Sequence, residues 1–306
     1  MQVLPMSVMM INADIIFVTT GSNASLLQNL ISSIEGRTNG LKVYLVLVNQ
    51  GSKILFKNED PLLQIHTIDV GRQMSLSASR NLALKFLFDQ KVSAQHIMFP
   101  DDDTSFKRDF FEIYSNLEPQ SAYLAKICNE EDGADYRNYP DKSRCGKESL
   151  IPWVASVSLL IPYTIAKKIG HFDPKLGVGA KWGSSEDLDY FLRATQHLEF
   201  CFLPELKNYH PSRFGKYEKM SSENIRKRFK AYTDGYLLVY FRYNLESKLG
   251  LFATRALGGA MISIFRLNFR LSFQYLWLYQ YRRKAKNYFS NLKREEPDKI
   301  SLEYDF

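Results

Sequence analysis

The chain has 306 residues, 45% of them hydrophobic and 14% aromatic, with a formal net charge of +7. That composition excludes a disordered segment and leaves room for one large α/β domain with a smaller appendage. The three cysteines, Cys128, Cys145 and Cys201, form no C-x-x-C pair, so neither a disulfide framework nor a zinc site is expected, and each reads as a small buried hydrophobe in a reducing cytosol.

The first residues lack the basic flank and small-residue cleavage site of a signal peptide. Residues 15–34 carry no charge, but Gly21, Ser22, Asn23, Gln28 and Asn29 make them a poor membrane span. Residues 13–20, ADIIFVTT, predict a buried strand, followed by a turn and a helix over 25–34. A second strand is expected over 44–48, closed by Asn49, Gln50, Gly51 and Ser52, and a short third one within LLQIHTIDV. From Met74 the apolar period lengthens, and Leu76, Ala83, Leu84, Leu87 and Phe88 fall on one helical face running to about Gln90. The run HIMF, 96–99, is a further strand. Strands alternating with helices predict a mainly parallel sheet covered on both faces.

At the end of that run come Asp101, Asp102 and Asp103. Adjacent like charges repel, so the cluster is either a solvated acidic turn ahead of a helix near Lys107 or a set of hard oxygen ligands for Mg²⁺ or Mn²⁺. Ligands of such sheets sit beyond the carboxyl ends of the strands, where Thr19, Thr20, Asn49 and the aspartates all fall, and that position favours the metal. Farther on, residues 127–150 are polar and turn-rich and are expected to form a long mobile loop. WVASVSLLIP returns to strand. LGVGAKWGSSEDLDYFLRA is a glycine-broken loop running into a helix, with Ser184 or Ser185 as its cap. Beyond His210 the sequence is helical and basic.

The strand-end threonines, SLSASRN, FPDDD and SSEDLD, in that order, resemble a family 2 glycosyltransferase of bacterial cell-surface polysaccharide pathways over residues 13–210. That resemblance implies the GT-A fold and inverting transfer of a sugar from a nucleoside-diphosphate sugar, UDP before dTDP, to a saccharide or lipid-linked saccharide. By the same resemblance Asp103 and Asp101 bind Mn²⁺ or Mg²⁺, and His210 is a further metal ligand. Asp101 and Asp102 also face the ribose and the ion's waters, and Arg80 and Asn81 lie beside the nucleotide with Thr19, Thr20 and Asn49. Asp187 is the general base, with Glu186 and Trp182 holding the acceptor. Asn49 stands where the family often carries an acid that reads the base.

The implied organisation is a catalytic domain over 1–210, with a donor half to about 105 and an acceptor half from 106, then a basic helical region over 211–306. Residues 1–205 hold 20 Lys/Arg and 24 Asp/Glu, whereas residues 206–294 hold 19 and 4, a net +15. With Trp277, Tyr279 and Tyr281 interleaved, that region is expected to lie on an anionic membrane surface, on the inner face of the cell membrane, and no nucleic-acid motif accompanies it. The competing readings are a metal-dependent nucleotidyltransferase and a non-catalytic basic protein that binds membrane or nucleic acid.

Overall fold

A computed structural model describes residues 11–53, 55–56, 58–212, 217 and 219–301. The ends of the expected domains, 1–10 and 302–306, lie outside them. The described residues form two compact units, Met1–Phe172 with Tyr190–Ser212, and Asp173–Asp189 with Arg213–Phe306.

The first unit is built on one sheet. In chain order its elements are β1 (Ile11–Gly21), α1 (Ala24–Ile34), β2 (Val43–Asn49), β3 (Leu63–Asp69), α2 (Leu76–Asp89), β4 (Val92–Met98), α3 (Arg108–Tyr114), β5 (Ala122–Asn129), β6 (Arg144–Cys145), α4 (Lys147–Leu150), β7 (Leu159–Pro162) and α5 (Tyr163–Ile169). α6 (Glu186–Ala194), whose first four residues belong to the second unit, and β8 (Phe200–His210) follow. The sheet order is β3-β2-β1-β4-β7-β5-β8-β6. β3, β2, β1 and β4 are parallel, β7 lies antiparallel between β4 and β5, and β8 runs parallel to β5.

β1 and β2 carry unbroken apolar runs because both of their faces are covered. Ile15, Phe17, Leu45 and Leu47 point to one face, where Leu27, Leu30 and Ile31 of α1 and Phe110, Phe111 and Tyr114 of α3 form the core. Ile16, Val18, Val46 and Val48 alternate to the other face and are equally buried. Helix α2 covers that side, and Tyr163 Oη on α5 donates to its Leu87 carbonyl at 2.9 Å.

Three expectations are corrected. Residues 127–129 belong to β5, 144–145 form the edge strand β6, and Cys145 is joined to Cys201 of β8 by a disulfide. The two cysteines face each other as register partners, a pairing across 56 residues that no sequence spacing announces. In WVASVSLLIP only Leu159–Pro162 is strand, because Ser156–Ser158 forms a 3₁₀ turn with the Ser158 hydroxyl looping back to Ala155 O.

The second unit contains α7 (Ser222–Arg242), α8 (Arg255–Phe265) and α9 (Phe269–Glu295), which realises the basic helical region. No described helix is long and apolar enough to cross a membrane. Arg242 anchors this unit. Its guanidinium bridges Asp189 at 2.8 Å and Asp173 at 2.9 Å, all three side chains being buried, and its Nε donates to Ile300 O.

Candidate metal and donor site

β1, β2 and β4 end on one edge of the sheet, and their last residues interlock through small side chains and amides. Gly21 closes β1, and a Cβ there would lie 2.3 Å from Asp102 Oδ2, so only glycine lets that carboxylate approach. Gln50, just past β2, donates from Nε2 to Thr20 Oγ1 (2.8 Å) and Ser79 Oγ (3.3 Å), and its Oε1 accepts the Met74 N–H. One buried amide thus ties β1, β2 and the start of α2 together. Thr19 is wholly buried, and its Oγ1 is without a hydrogen-bond partner.

Asp101, Asp102 and Asp103 follow β4 in a tight turn in which the Asp101 N–H donates to Thr104 Oγ1 and the Thr104 N–H to Asp101 O. The next residue pins the turn to the far half of the sheet, since Ser105 and Tyr209 exchange both backbone hydrogen bonds at 2.9 Å. That places His210, the last residue of β8, beside the turn. His210 Nε2 is 3.0 Å from Asp103 Oδ1 and 4.0 Å from Asp101 Oδ2, and one ligand atom from each of Asp101, Asp103 and His210 lies within 4.8 Å of the others. Nδ1 is 3.0 Å from Pro211 O, which only accepts, so Nδ1 carries a proton and Nε2 is the nitrogen turned to the carboxylates. The Tyr136 ring meets the imidazole edge-on at 5.2 Å.

The electrostatics fit a missing positive charge. Burial, and then the neighbouring charges of Asp103 and Asp101, push Asp102 up to about 6. Burial pulls His210 down, but the hydrogen bond and charge of Asp103, with Asp101, outweigh it and hold the imidazole above its ordinary value. Two carboxylates and an imidazole converging from one side are a donor set for Mn²⁺ or Mg²⁺, the nitrogen favouring Mn²⁺, with octahedral positions left for diphosphate oxygens.

The other predicted residues take different positions. Arg80 is fully buried on α2, donates from Nη2 to Asp101 Oδ1 at 2.8 Å and lies over the Phe172 ring, so it holds the carboxylate from behind. Both ends of the Asn81 amide are bonded to the Phe172 backbone, at 2.9 and 2.8 Å, which makes it a clamp between α2 and that segment. Asn49 folds onto its own loop, donating to Ser52 O and Asp69 Oδ1 while accepting the Gly51 N–H. The carboxylate at this strand end is therefore Asp69, on β3, a position that the sequence reading left unmarked.

In the second unit, Leu176 bridges to Trp182, and Gly177 and Gly179 have positive φ. Trp182 is half-buried with its ring 5.4 Å from Phe289. Glu186 is buried, and the half-buried Asp187 accepts the Leu188 N–H. Asp189 is engaged by Arg242 and Tyr243.

No protein-family model and no curated protein matches this sequence. Among solved structures, the chain resembles S. aureus TarS 1-349 at 12% identity and TM-score 0.50, over 96% of this chain and 93% of that one. It also resembles the mannosyltransferase PcManGT from Pyrobaculum calidifontis, solved in complex with GDP-Man and Mn²⁺, at 12% identity and TM-score 0.51, over 97% and 86%. Against a longer S. aureus TarS structure, with TM-score 0.46 and 13% identity, it spans 39% of that chain's length. The fold is thus the GT-A α/β fold followed by a helical region, as the sequence implied.

Proposed function

We propose that this chain is a metal-dependent glycosyltransferase that moves a sugar from a nucleoside-diphosphate sugar to a saccharide acceptor. One observation carries the reading: Asp101, Asp103 and His210 converge at the carboxyl edge of a GT-A sheet. Mn²⁺ or Mg²⁺, when bound there, supplies Lewis-acid neutralisation of charge on the departing diphosphate. Asp103 and His210 offer an oxygen and a nitrogen to it, and Arg80 fixes the orientation of Asp101. Thr20 and the Asp102 carboxylate stand at the edge on which a nucleotide would lie, while Thr19 is wholly buried. The PcManGT structure, which holds GDP-Man and Mn²⁺ on the same fold, supports a donor of this class.

The finer reading follows the family 2 resemblance. Transfer is inverting, the base of the donor is uracil before thymine, and the acceptor is a saccharide carried on a lipid in surface-polysaccharide synthesis. Inversion requires a carboxylate to take the proton of the attacking hydroxyl, which is barely acidic. Carboxylates that hold the ion have their lone pairs engaged on the leaving-group side, so that role falls to Asp187, with Glu186 holding acceptor hydroxyls.

The test is release of nucleoside diphosphate from a panel of UDP-, dTDP- and GDP-sugars in Mn²⁺. Metal-dependent release from one of them, lost in Asp103→Ala, is expected. Pyrophosphate release instead would identify a nucleotidyltransferase, and turnover undiminished in EDTA would overturn the metal role.

A further inference from the structure

α8 and α9 form a hairpin in which polarity is inverted. Small residues mark this hairpin: Gly259, where a Cβ would sit 2.7 Å from the Tyr275 ring, with Ala260, Ser263 and Ser272, all three of them buried, while the buried Gln274 accepts from Arg226 of α7. Met261, Ile262, Phe265, Leu267, Phe269 and Phe273 instead point outward, Phe265 being 83% and Leu267 78% exposed. Leu267 sits at φ +55, a left-handed conformation unfavourable for leucine, so the backbone at the turn accepts strain while presenting an apolar side chain outward. An apolar tip of this kind is unfavourable in water and calls for an apolar medium.

Charge selects the medium. From residue 247 to residue 294 there is no Asp or Glu, against ten Lys and Arg. Exposed Arg283 and Lys284 follow the apolar part of α9, and Arg266 lies within the turn itself. A second copy of the chain meeting this face would bring the same positive set and be repelled, whereas an anionic bilayer offers acyl chains beneath a negative surface. The 11 residues of α8 rise about 16 Å, half of the ~30 Å hydrocarbon thickness, so the hairpin is too short to cross. Arg266 in the turn, with Ala256 packed on α7, limits it to shallow entry of its apolar tip.

We infer that the α8–α9 turn is a membrane wedge that inserts Phe265, Leu267, Phe269 and Phe273 into an anionic leaflet, with the basic side chains at headgroup level. The aromatic residues expected from sequence to play this part do not. Trp277 and Tyr279 pack on the cluster of Ile225, Phe229, Ala256 and Leu278, and Tyr281 donates to Asp234 at 2.7 Å.

The experiment is co-sedimentation of the full chain with vesicles of phosphatidylcholine alone or with 30% phosphatidylglycerol, alongside size-exclusion chromatography. Neither donor nor metal is added, so the result is independent of the transfer reading. The full chain should bind the phosphatidylglycerol vesicles and be partly released by salt. Phe265→Ser with Phe273→Ser should weaken binding about tenfold or more, with an unchanged circular-dichroism spectrum, because both side chains are exposed. Arg283→Glu with Lys284→Glu should weaken it on phosphatidylglycerol alone. Failure of the unaltered chain to bind at low salt, or binding retained by the serine pair, would overturn the wedge. So would a dimer that the serine pair splits without any vesicle binding.

Discussion

Arg80 Nη2 lies 2.8 Å from Asp101 Oδ1, and the arginine is completely buried whereas the aspartate is about a third exposed. The contact sets the direction of a carboxylate that also faces His210. Arg80→Lys keeps the charge but loses the planar fork, so it should weaken Mn²⁺ affinity roughly 10–100-fold and lower turnover with it. Titrating Mn²⁺ against turnover and against paramagnetic signal separates the two effects. Unchanged affinity in a folded Arg80→Lys protein would remove Arg80 from the site.

Asp103→Ala should abolish transfer, and EDTA should mimic it, with added Mn²⁺ rescuing only the EDTA-treated protein. His210→Ala removes the nitrogen, so the preference for Mn²⁺ over Mg²⁺ should shrink while some activity in Mg²⁺ persists. The comparison needs only metal titrations of the two variants, and an unaltered Mn²⁺ preference in His210→Ala would count against the imidazole as a ligand.

Asp187 and Asp189 stand two residues apart in the first turn of α6, yet different outcomes are expected of them. Asp187→Asn should melt like the parent, bind donor and metal, and lose transfer by roughly 10²–10⁴-fold. Asp189→Ala takes one of two carboxylates from the buried Arg242 guanidinium, leaving Asp173, and should cost roughly 1.5–3 kcal/mol of stability, read by thermal or urea unfolding. Asp189 is therefore no neutral control for Asp187. Near-parental transfer by Asp187→Asn would reassign the base.

Burial holds His66, His96 and His171 below the ordinary histidine value. The unfolded chain then binds protons that the folded chain refuses, so their contribution is complete above about pH 6.5 and is lost as pH falls toward the depressed folded values. His210 is raised, and Asp102, pushed up to about 6, takes up a proton on folding near that pH, so both oppose this trend. His96→Gln should therefore lose less melting temperature than the parent between pH 7 and pH 5. Identical pH profiles of the two proteins would contradict the His96 shift.

The Cys145–Cys201 disulfide closes a segment 56 residues apart in sequence, and a loop of that length is worth about 2–4 kcal/mol through the unfolded chain. Dithiothreitol should lower the melting temperature of the parent and leave the Cys145→Ser, Cys201→Ser double variant unaffected. Equal response of the two proteins to reductant would exclude the bond.

Much of this molecule could be read from residue order, because β1 and β2 carry continuous apolar runs, β4 ends in one, and helical period marks α1 and α2. β5 and β8 escaped. Pro204 and Glu205 interrupt the second of these, and the ladder accommodates them by a register shift, Ala125 pairing with Leu203 and Lys126 with Lys207. At the site, the aspartates were legible because an acidic run at a strand end is a local property, whereas His210 entered only through the family 2 resemblance. The direction of Arg80, the closure of Asn81 onto Phe172, the knot around Gln50 and the cysteine pair were not. Each is decided by a partner distant in sequence, which periodicity does not encode.

Asp103 and His210 reach each other only through the order of the sheet. Between the strands that carry them stand β7 and β5, and the Ser105–Tyr209 pair fastens the two ends together. An ion held by all three side chains would therefore find only Asp101 and Asp103 on a half-folded chain and would bind the completed sheet more tightly. It would stabilise that sheet by mass action, in proportion to the logarithm of its concentration, so its affinity would rise when the last strand has docked.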